Sequence, residues 1–512
     1  MTHPDQTSNR QIYYLPPSEF NSLQEANDSF DVILAALPIS SRELLIPYKF
    51  NEQAKRYIQK TTEHIGKCLD HLNYQGSIMV YGIPRWLPYI AEFLYQRITF
   101  KYWVAINNPH SITHINSMPP FHIGVLIFVQ NPKQFNLNRV RYPHIFCSQC
   151  GDYLADWGGK KHLRPEFGPV ISDIWDDRED FIDADFNLAF HSVQRLLDLT
   201  CKPDAKVLLA MSNEKPYPET NRYSPGVVGQ GSTIKIKVVP LKRPEFNPMR
   251  VMSPAKKQYK FAFNNIFVGD SVKVMSSWLV DPDARFDLIF ADPPYNLEKD
   301  YGKTDDNFKD VEYIQWCDEW LSLCSDLLKP NGSLYILNLP KWSFFHATLL
   351  NKNLFFQRWI AWDALSDPRG KLMPAHYSLL WYTKHKSRFT FNQIAPIPRM
   401  DQCFRAKCIK NRSSKAPKEV ISDIWYDIHR IKHKRDRDEH PCQLPIKLLE
   451  RILNMSTNPG DIVLDPFMGT GTTAVVAKRM GRNYVGIDID PNYKSIALSK
   501  LKENQKLSLL IK

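Results

Sequence analysis

The chain lacks any uninterrupted apolar stretch close to the length of a membrane span, which requires about 20 apolar residues. Residues 1–6 contain no apolar signal core either. Its nine cysteines are scattered over 512 residues and do not form the dense framework of a disulfide-stapled secreted domain. From these absences we expect a soluble protein of the cytoplasm without a membrane partner.

Two nucleotide-binding patterns are also missing from the glycine loop near the end of the chain. Residues 461–467 predict a short buried strand, and Gly469 and Gly471 precede a predicted helix. Glycines at this spacing let the backbone approach a ligand at a helix start. The loop has no third glycine and no P-loop lysine, which argues against NAD and nucleoside triphosphates. About twenty residues later, Asp488 ends a second predicted strand, where a carboxylate can accept ribose hydroxyls.

A tetrapeptide, Asp292-Pro293-Pro294-Tyr295, follows the apolar run of residues 286–291. Ligands of open α/β sheets bind at such carboxyl ends of strands. The carboxylate of Asp292 can accept one hydrogen of an amino group, and the carbonyl of Pro293 can accept the other. The prolines stiffen the turn, and Tyr295 offers a ring for a base to stack on, worth roughly 1–3 kcal/mol. The arrangement suits methylation of an exocyclic amino group of a nucleobase.

Together these motifs resemble the amino-group DNA methyltransferases. The matching pieces are Asp292 to Tyr295, the D-P-F-x-G-x-G stretch of residues 465–471, and residues 440–445, where Leu444 replaces a usual lysine. The order, catalytic before cofactor motif, resembles the β class over residues 263–512. The resemblance implies a Rossmann-like α/β domain and S-adenosylmethionine as methyl donor. It implies that the tetrapeptide holds the base and that the cofactor contacts are Asp270, Asp465, Phe467, Gly469, Gly471 and Asp488.

The chain also contains an internal repeat. Residues 30–35 match residues 286–291 at an offset of 256, and residues 170–175 are identical to residues 420–425 at an offset of 250. Further matches in register, including paired tryptophans, predict a tandem duplication of one α/β domain. We expect domains at 1–240 and 263–512 joined by a basic, proline-rich linker at 241–262.

The first copy differs where the chemistry lies. Ala36, Leu37 and Ile39 stand at the positions of Asp292, Pro293 and Tyr295, and residues 209–212 provide no glycine turn. The first copy is therefore interpreted as a degenerate domain that folds without catalysing; an unrecognised activity of its own is the alternative. We expect the two copies to pack as a pseudo-dimer within a monomeric chain.

A basic region separates the two motifs of the second copy. Residues 366–439 hold about seventeen lysines and arginines against about eight acidic residues, in a chain of net charge +12. Such a surface fits double-stranded DNA, because phosphate neutralisation gives affinity independent of sequence. We interpret it as the target-recognition region, with a solvated loop as the alternative. The candidate DNA contacts are Arg405, Lys407, Lys410, Arg412, Lys432, Lys434 and Arg435.

Cys147 and Cys150 form a pair with the spacing of a zinc knuckle. Four ligands are needed, and His144 and His162 are nearby candidates. A site shared with Cys403 and Cys408 of the second copy is another possibility, and two reduced cysteines in a turn are a third.

The expected chemistry is a single displacement on a base that has left the duplex, with no covalent enzyme intermediate. In the resembling family a leading aspartate is more usual for adenine N6 and a leading serine for cytosine N4, so adenine is favoured. An RNA or protein-glutamine methyltransferase is one alternative, and a non-catalytic DNA-binding regulator is another. A partner restriction endonuclease and association with the nucleoid are compatible with this interpretation.

Overall fold

The protein is described from a computed structural model. The residues that it describes are 10–16, 28–37, 50–107, 118, 122–135, 137–141, 144–154, 162, 166, 168–175, 188–210, 221–222, 259–297, 308–364, 370–398, 403, 405–410, 418–430 and 444–510. We name residues 10–222 the first half and residues 259–510 the second half. Of the predicted linker, only residues 259–262 are described, and Phe261 packs in the core of the second half. No helix in these ranges is both long and apolar enough to cross a membrane.

The first half contains three helices and eight strands within its described residues. They are β1 Gln11–Leu15, β2 Phe30–Ala36, α1 Glu52–Asp70, β3 Leu72–Gly82, α2 Leu87–Tyr95, β4 Thr99–Asn107, β5 His122–Val129, β6 Ile174–Trp175, α3 Phe190–Thr200, β7 Lys206–Ala210 and β8 Asn221–Arg222.

The second half contains seven helices and ten strands within its described residues. They are β9 Asn265–Val268, α4 Ser271–Ser277, β10 Phe286–Ala291, α5 Asp310–Leu327, β11 Leu328–Asn338, α6 Pro340–Leu350, β12 Phe355–Asp363, β13 His376–Thr383, β14 Ile397–Pro398, α7 Ala406–Lys410, β15 Lys418–Glu419, β16 Ile424–Trp425, α8 Ile446–Ser456, β17 Ile462–Asp465, α9 Thr472–Arg479, β18 Asn483–Asp488 and α10 Pro491–Leu510.

Each half is built on one eight-stranded, mostly parallel sheet. The strand order is β6-β4-β5-β3-β2-β7-β1-β8 in the first half and β16-β12-β13-β11-β10-β17-β18-β9 in the second. In each sheet one strand, β5 or β13, runs antiparallel to both of its neighbours. Strands such as β10 are buried along their whole length, as expected for parallel strands covered on both faces. The α/β fold class predicted from the sequence is confirmed.

The two sheets share their pairing register as well as their order. Phe30 pairs with Leu72 in the first half, and Phe286 pairs with Leu328 in the second, both at the offset of 256. The seventh strand in the order differs between the sheets. In the first half it is the amino-terminal strand β1, which pairs with β7, and in the second half it is β18, which pairs with β17. This resemblance is what a duplication predicts, although the duplication and its boundaries stay predictions.

The halves are in direct contact through equivalent elements. Trp103 of β4 stacks on Trp359 of β12 with ring centroids 3.9 Å apart and planes 12° apart. The two residues are related by the offset of 256, and each is 1% exposed. Helix α2 packs on its equivalent α6, where Asn351 donates to the Tyr89 hydroxyl at 2.9 Å. One hydrophobic core consequently continues from the first half into the second.

A reciprocal polar contact accompanies this stacking. Asp173 Oδ1 accepts the backbone N–H groups of Ala375 at 2.8 Å and His376 at 2.9 Å. Its counterpart Asp423, in the identical hexapeptide, lies 3.1 Å from Nδ1 of His122, which is the first residue of β5 as His376 is the first residue of β13. Each half therefore uses the same segment to contact the other, as in a two-fold, isologous interface.

Candidate active site

Four parallel strands of the second half end together at one edge of the sheet. β10 lies beside β17, β17 beside β18, and β18 beside β9, all parallel. The residues that follow or end these strands are Asp292, Phe467, Asp488 and Asp270. The structure thus brings the predicted base-binding tetrapeptide and the predicted cofactor residues to the same edge, which is where ligands of such sheets bind.

The tetrapeptide is held by hydrogen bonds on both sides of its prolines. The Tyr295 hydroxyl donates to Asp292 Oδ1 at 2.6 Å. The backbone carbonyl of Tyr295 accepts from Trp342 Nε1 at 2.7 Å, and that of Pro294 accepts from the Tyr313 hydroxyl. Within the described ranges no donor reaches the carbonyl of Pro293. The turn that carries the two predicted acceptors, the Asp292 carboxylate and the Pro293 carbonyl, is therefore held by neighbouring side chains.

Tyr295 is more enclosed than its predicted stacking role suggested. Its side chain is 7% exposed, and its ring lies 6.1 Å from the ring of Tyr377 at an angle of 52°. The hydroxyl orients Asp292, a role that the sequence did not indicate. Stacking of a base on this ring stays a prediction.

Sequence reasoning missed the side chains that support the tetrapeptide from helices α5 and α6. Tyr313 of α5 is fully buried, and Asn338 at the end of β11 donates to its hydroxyl at 3.2 Å. Trp342 of α6 matches Trp86 at the repeat offset of 256, and that match gives no indication of a contact with the tetrapeptide. A buried tyrosine hydroxyl or tryptophan N–H usually has a hydrogen-bond partner. This requirement was the one signal in the sequence that could have pointed to Tyr313 and Trp342.

The glycine loop connects β17 to α9 and also contacts β18. The N–H of Gly469 donates to Asp488 Oδ2 at 2.8 Å, and the N–H of Met468 donates to the Ile487 carbonyl at 3.0 Å. Gly471 is the N-cap of α9 with φ of +83°, a conformation that other residues rarely adopt. A Cβ at Gly471 would lie 2.5 Å from the Cβ of Ala497 on α10. Glycine is therefore required here by both backbone conformation and space.

Asp465 organises this loop from within. It is 4% exposed, its Oδ1 accepts the Phe467 N–H at 3.0 Å, and its Oδ2 accepts the Thr473 hydroxyl at 2.6 Å. Burial raises the pKa of Asp465 to about 7, helped by the charge of Asp488 and opposed by those two hydrogen bonds. The carboxylate was predicted as a cofactor contact; in the structure one oxygen binds the loop at Phe467 and the other binds Thr473 in the first turn of α9.

Asp488 ends β18 and Asp270 follows β9, and both strands lie on the opposite side of β17 from β10. Asp488 accepts the N–H groups of Gly469 and Asp490, one on each oxygen, and a carboxylate has further acceptor sites that suit a ribose hydroxyl. Burial raises the pKa of Asp488 to about 6. Asp270 caps α4 by accepting the Lys273 N–H at 3.0 Å and is partly exposed. The N–H of Gly269 donates to the Asp488 carbonyl at 2.9 Å, which ties the two acidic residues together.

The aromatic wall of this edge comes from Phe467. Its ring packs against Trp316 at 5.5 Å and Trp320 at 5.2 Å, both on α5, and it is partly exposed. A partly exposed ring, a loop whose close packing requires glycine, and a carboxylate at the end of β18 fit the predicted S-adenosylmethionine.

The end of β2, which is equivalent to the end of β10, is apolar. Ala36 and Leu37 are buried, at 1% and 2% exposed, and the Leu37 N–H donates to the Tyr81 carbonyl at 2.9 Å. A Cβ at Gly82 would lie 2.8 Å from Leu37, so Leu37 occupies the space beside that strand end. Ile39 and residues 211–212 lie outside the described residues.

Three of the seven predicted DNA contacts lie in the described residues, and their surroundings differ. Lys407 and Lys410 on α7 are exposed, as a phosphate contact requires. Arg405 instead points to the first half, where it lies 3.6 Å from Asp152 Oδ2 and donates to the Tyr153 carbonyl. The other candidates, namely Arg412, Lys432, Lys434 and Arg435, lie outside the described residues, as do residues 440–443 of the third motif.

The cysteine pair of the first half meets the cysteine pair of the second. The sulfur atoms of Cys147, Cys150, Cys403 and Cys408 all lie within 4.8 Å of one another. His144 packs on Tyr153 instead, and neither it nor His162 belongs to this cluster. Of the alternatives from the sequence, the arrangement shared between the halves is the one that the geometry matches.

Comparisons with known proteins agree with this site. Residues 286–499 match the N6/N4 DNA methylase family. The type II methyltransferase M.BamHI of Bacillus amyloliquefaciens is 38% identical over 255 residues, covering 48% of this chain and 58% of that relative, little more than half its length. The type II methyltransferase M.HpaI of Haemophilus parainfluenzae is 39% identical over 220 residues, covering 42% of this chain and 68% of the relative.

Among solved structures, the complex of M1.HpyAVI with SAM is 24% identical and covers 46% of this chain and 98% of that chain, with a TM-score of 0.32. The sequence matches and the motifs at the sheet edge lead to one assignment: the chain belongs to the N6/N4 DNA methylase family of α/β methyltransferases.

Proposed function

We propose that the chain methylates the exocyclic amino group of a base, N6 of adenine, at a specific site in duplex DNA, with S-adenosylmethionine as methyl donor. The observation that carries this is Asp292, fixed by Tyr295 beside the glycine loop at the carboxyl edge of the sheet. S-adenosylmethionine supplies an electrophilic methyl group when bound. The site has to make an amino nitrogen nucleophilic next to it.

The tetrapeptide activates the nitrogen through hydrogen bonds. Asp292 and the Pro293 carbonyl each accept one amino hydrogen, which moves the nitrogen from planar toward tetrahedral geometry and frees its lone pair. Because Tyr313 and Trp342 hold the following two carbonyls, the Pro293 carbonyl keeps its direction without cost at the moment of reaction. Proximity in such a fixed site is worth up to roughly 7–11 kcal/mol.

We further propose that the first half is a degenerate copy, with domains at 1–240 and 263–512 and the linker at 241–262, and that the chain is a monomeric pseudo-dimer. Supporting this are the common strand order, the common register and the apolar edge at Ala36. The exposed lysines of α7 support DNA contact within the predicted recognition region 366–439. A cognate restriction endonuclease and a nucleoid location are part of the same proposal, because two of the relatives are named type II methyltransferases.

The direct test is methyl transfer by the purified chain from labelled S-adenosylmethionine to duplex DNA, followed by digestion and identification of the methylated base. Asp292→Ala is expected to reduce transfer by more than a hundredfold while cofactor binding stays intact. The matched control is Asp283→Ala, since Asp283 is an exposed carboxylate at the amino end of β10, on the opposite edge of the sheet.

The outcomes separate the rival functions. If the digest contained N4-methylcytosine, the target base would be cytosine and not adenine. Transfer to RNA but not to DNA would indicate an RNA methyltransferase. DNA binding without cofactor binding would identify a regulator, and equal activity of the Asp292 and Asp283 variants would refute the assignment of the site.

A further inference from the structure

The four-cysteine cluster lies outside the active site and away from the main cores. It comprises Cys147 and Cys150 of the first half with Cys403 and Cys408 of the second. Three of these side chains are buried, and Cys150 is exposed. In the described part of the chain, Leu154 is the one apolar side chain that packs against the cluster. Hydrophobic packing of small side chains therefore gives little reason for four thiols to meet here.

The four sulfur atoms, all within 4.8 Å of one another, are close enough to surround one metal ion. Zinc–thiolate bonds of about 2.3 Å in tetrahedral geometry place neighbouring sulfurs roughly 3.8 Å apart. The Sγ atoms of Cys150 and Cys403, one from each half, are 3.8 Å apart. A disulfide would bring them to about 2.05 Å. The spacings within each pair, two and four intervening residues, also fall in the range that zinc sites use.

The surroundings stabilise thiolates. The Cys403 N–H donates to Cys147 Sγ at 3.3 Å, and Arg405 Nη1 lies 3.6 Å from Cys150 Sγ. Four thiolates and one divalent cation leave a net charge of −2, which the Arg405 guanidinium partly offsets. Arg405 is itself anchored by Asp152 at 3.6 Å. Such groups around the ligand sulfurs fix and tune metal sites.

We propose that these four thiolates bind one structural Zn²⁺ and that the ion ties the first half to the start of α7 in the second half. Binding releases the thiol protons to solvent and leaves the metal without an open position for catalysis. The first half thereby acquires a structural role, because it anchors the segment that carries Lys407 and Lys410. None of the zinc ligands belongs to the active site, so the proposal is independent of the methyl transfer.

The first experiment measures metal in the full-length chain purified without chelator or affinity metal. Elemental analysis is expected to give one zinc per chain. After exchange with Co²⁺ the protein should show the intense visible absorption of a tetrathiolate cobalt site. Removal of zinc with a chelator should increase protease cleavage within residues 144–154 and 403–410, and readdition of zinc should reverse it.

Variants then locate the ligands. Cys150→Ser is the most informative, because Cys150 is exposed and its loss should not prevent folding; it should lower the zinc content at least tenfold after dialysis. Cys150→His should restore the metal, since imidazole is also a zinc ligand. The matched control is Cys68→Ala, a buried cysteine of α1 away from the cluster, which should keep one zinc.

Three results would overturn the proposal: a wild-type chain that contains no zinc and takes up none, zinc content unchanged in Cys150→Ser, or a disulfide between Cys150 and Cys403 in the chain purified under reducing conditions and analysed by intact mass.

Discussion

Substitution of Gly471 by alanine tests whether the glycine loop is shaped for a cofactor. Gly471 has φ of +83°, and a Cβ there would lie 2.5 Å from the Cβ and 3.2 Å from the Cα of Ala497. Helix α10 would have to move, or the loop would have to leave Asp488. Gly481, at the other end of α9, has a similar φ of +76°, but a Cβ there would meet nothing nearer than 3.9 Å.

Comparison of Gly471→Ala with Gly481→Ala separates the cost of backbone strain from the cost of the steric clash. A left-handed conformation costs a non-glycine residue roughly 1–2 kcal/mol, and both variants carry that cost. Overpacking adds roughly 1–3 kcal/mol in Gly471→Ala alone. We therefore expect its free energy of unfolding to fall by roughly 2–5 kcal/mol, against roughly 1–2 kcal/mol for Gly481→Ala.

The assay is calorimetric titration with S-adenosylmethionine alongside chemical denaturation. Displacement of the loop should weaken cofactor binding at least tenfold, equivalent to about 1.4 kcal/mol, in Gly471→Ala, whereas Gly481→Ala should bind as the wild type does. Adding Ala497→Gly removes the clashing Cβ and should restore part of the affinity, although glycine in a helix costs about 1 kcal/mol. Equal affinity in both alanine variants would refute the assigned role of the loop.

Three further predictions concern the interface and the DNA surface. Trp103→Ala and Trp359→Ala should each destabilise the chain by roughly 3–5 kcal/mol, and a double-mutant cycle in denaturant should give a coupling of at least about 0.5 kcal/mol because the rings stack. Burial raises the pKa of Asp173 to about 7, so the native state keeps its proton longer than the unfolded state, and stability should fall between about pH 4 and pH 7, by up to roughly 4 kcal/mol from this group. Asp173→Asn keeps the accepting oxygen and should flatten that profile. Lys407→Gln with Lys410→Gln should reduce the salt slope of DNA affinity by about 1.8.

Each of these has an internal control. For the lysines it is Lys55→Gln with Lys60→Gln on α1, two exposed residues of the first half, which should leave the slope unchanged; a slope equally insensitive to both pairs would move the DNA surface elsewhere. Additive tryptophan variants would show that the rings do not interact. A pH profile of the Asp173 variant parallel to that of wild type would assign the dependence to other groups.

The sequence predicted those features that are encoded locally. The strand before Asp292, the glycine turn at Gly469 and Gly471, and the acidic end of β18 follow from short patterns, because neighbouring residues determine strand ends and turns. The gathering of these pieces at one edge followed from the parallel topology that βαβ patterns imply.

What the sequence did not predict depends on contacts between distant segments. That Tyr313 and Trp342 hold the tetrapeptide, and that Arg405 faces the first half rather than a phosphate, require knowledge of how helices and loops pack in three dimensions. The exchange of β18 for β1 in the first sheet is of the same kind: β1 carries no motif, and only pairing shows that it fills the place of the strand that carries Asp488.

This exchange, together with the reciprocal interface, accounts for the form of the first half. In the first half β1 supplies the backbone hydrogen bonds to β7, whereas in the second half β18, which ends in Asp488, supplies them to β17. Trp103, Asp173 and His122 contact the second half. They do not belong to the proposed active site. If the two halves arose by the proposed duplication, selection for the shared core would preserve these residues while the positions of Ala36 and Leu37 drift to apolar side chains. In this interpretation the first half persists because the second half, which carries the proposed active site, packs against it.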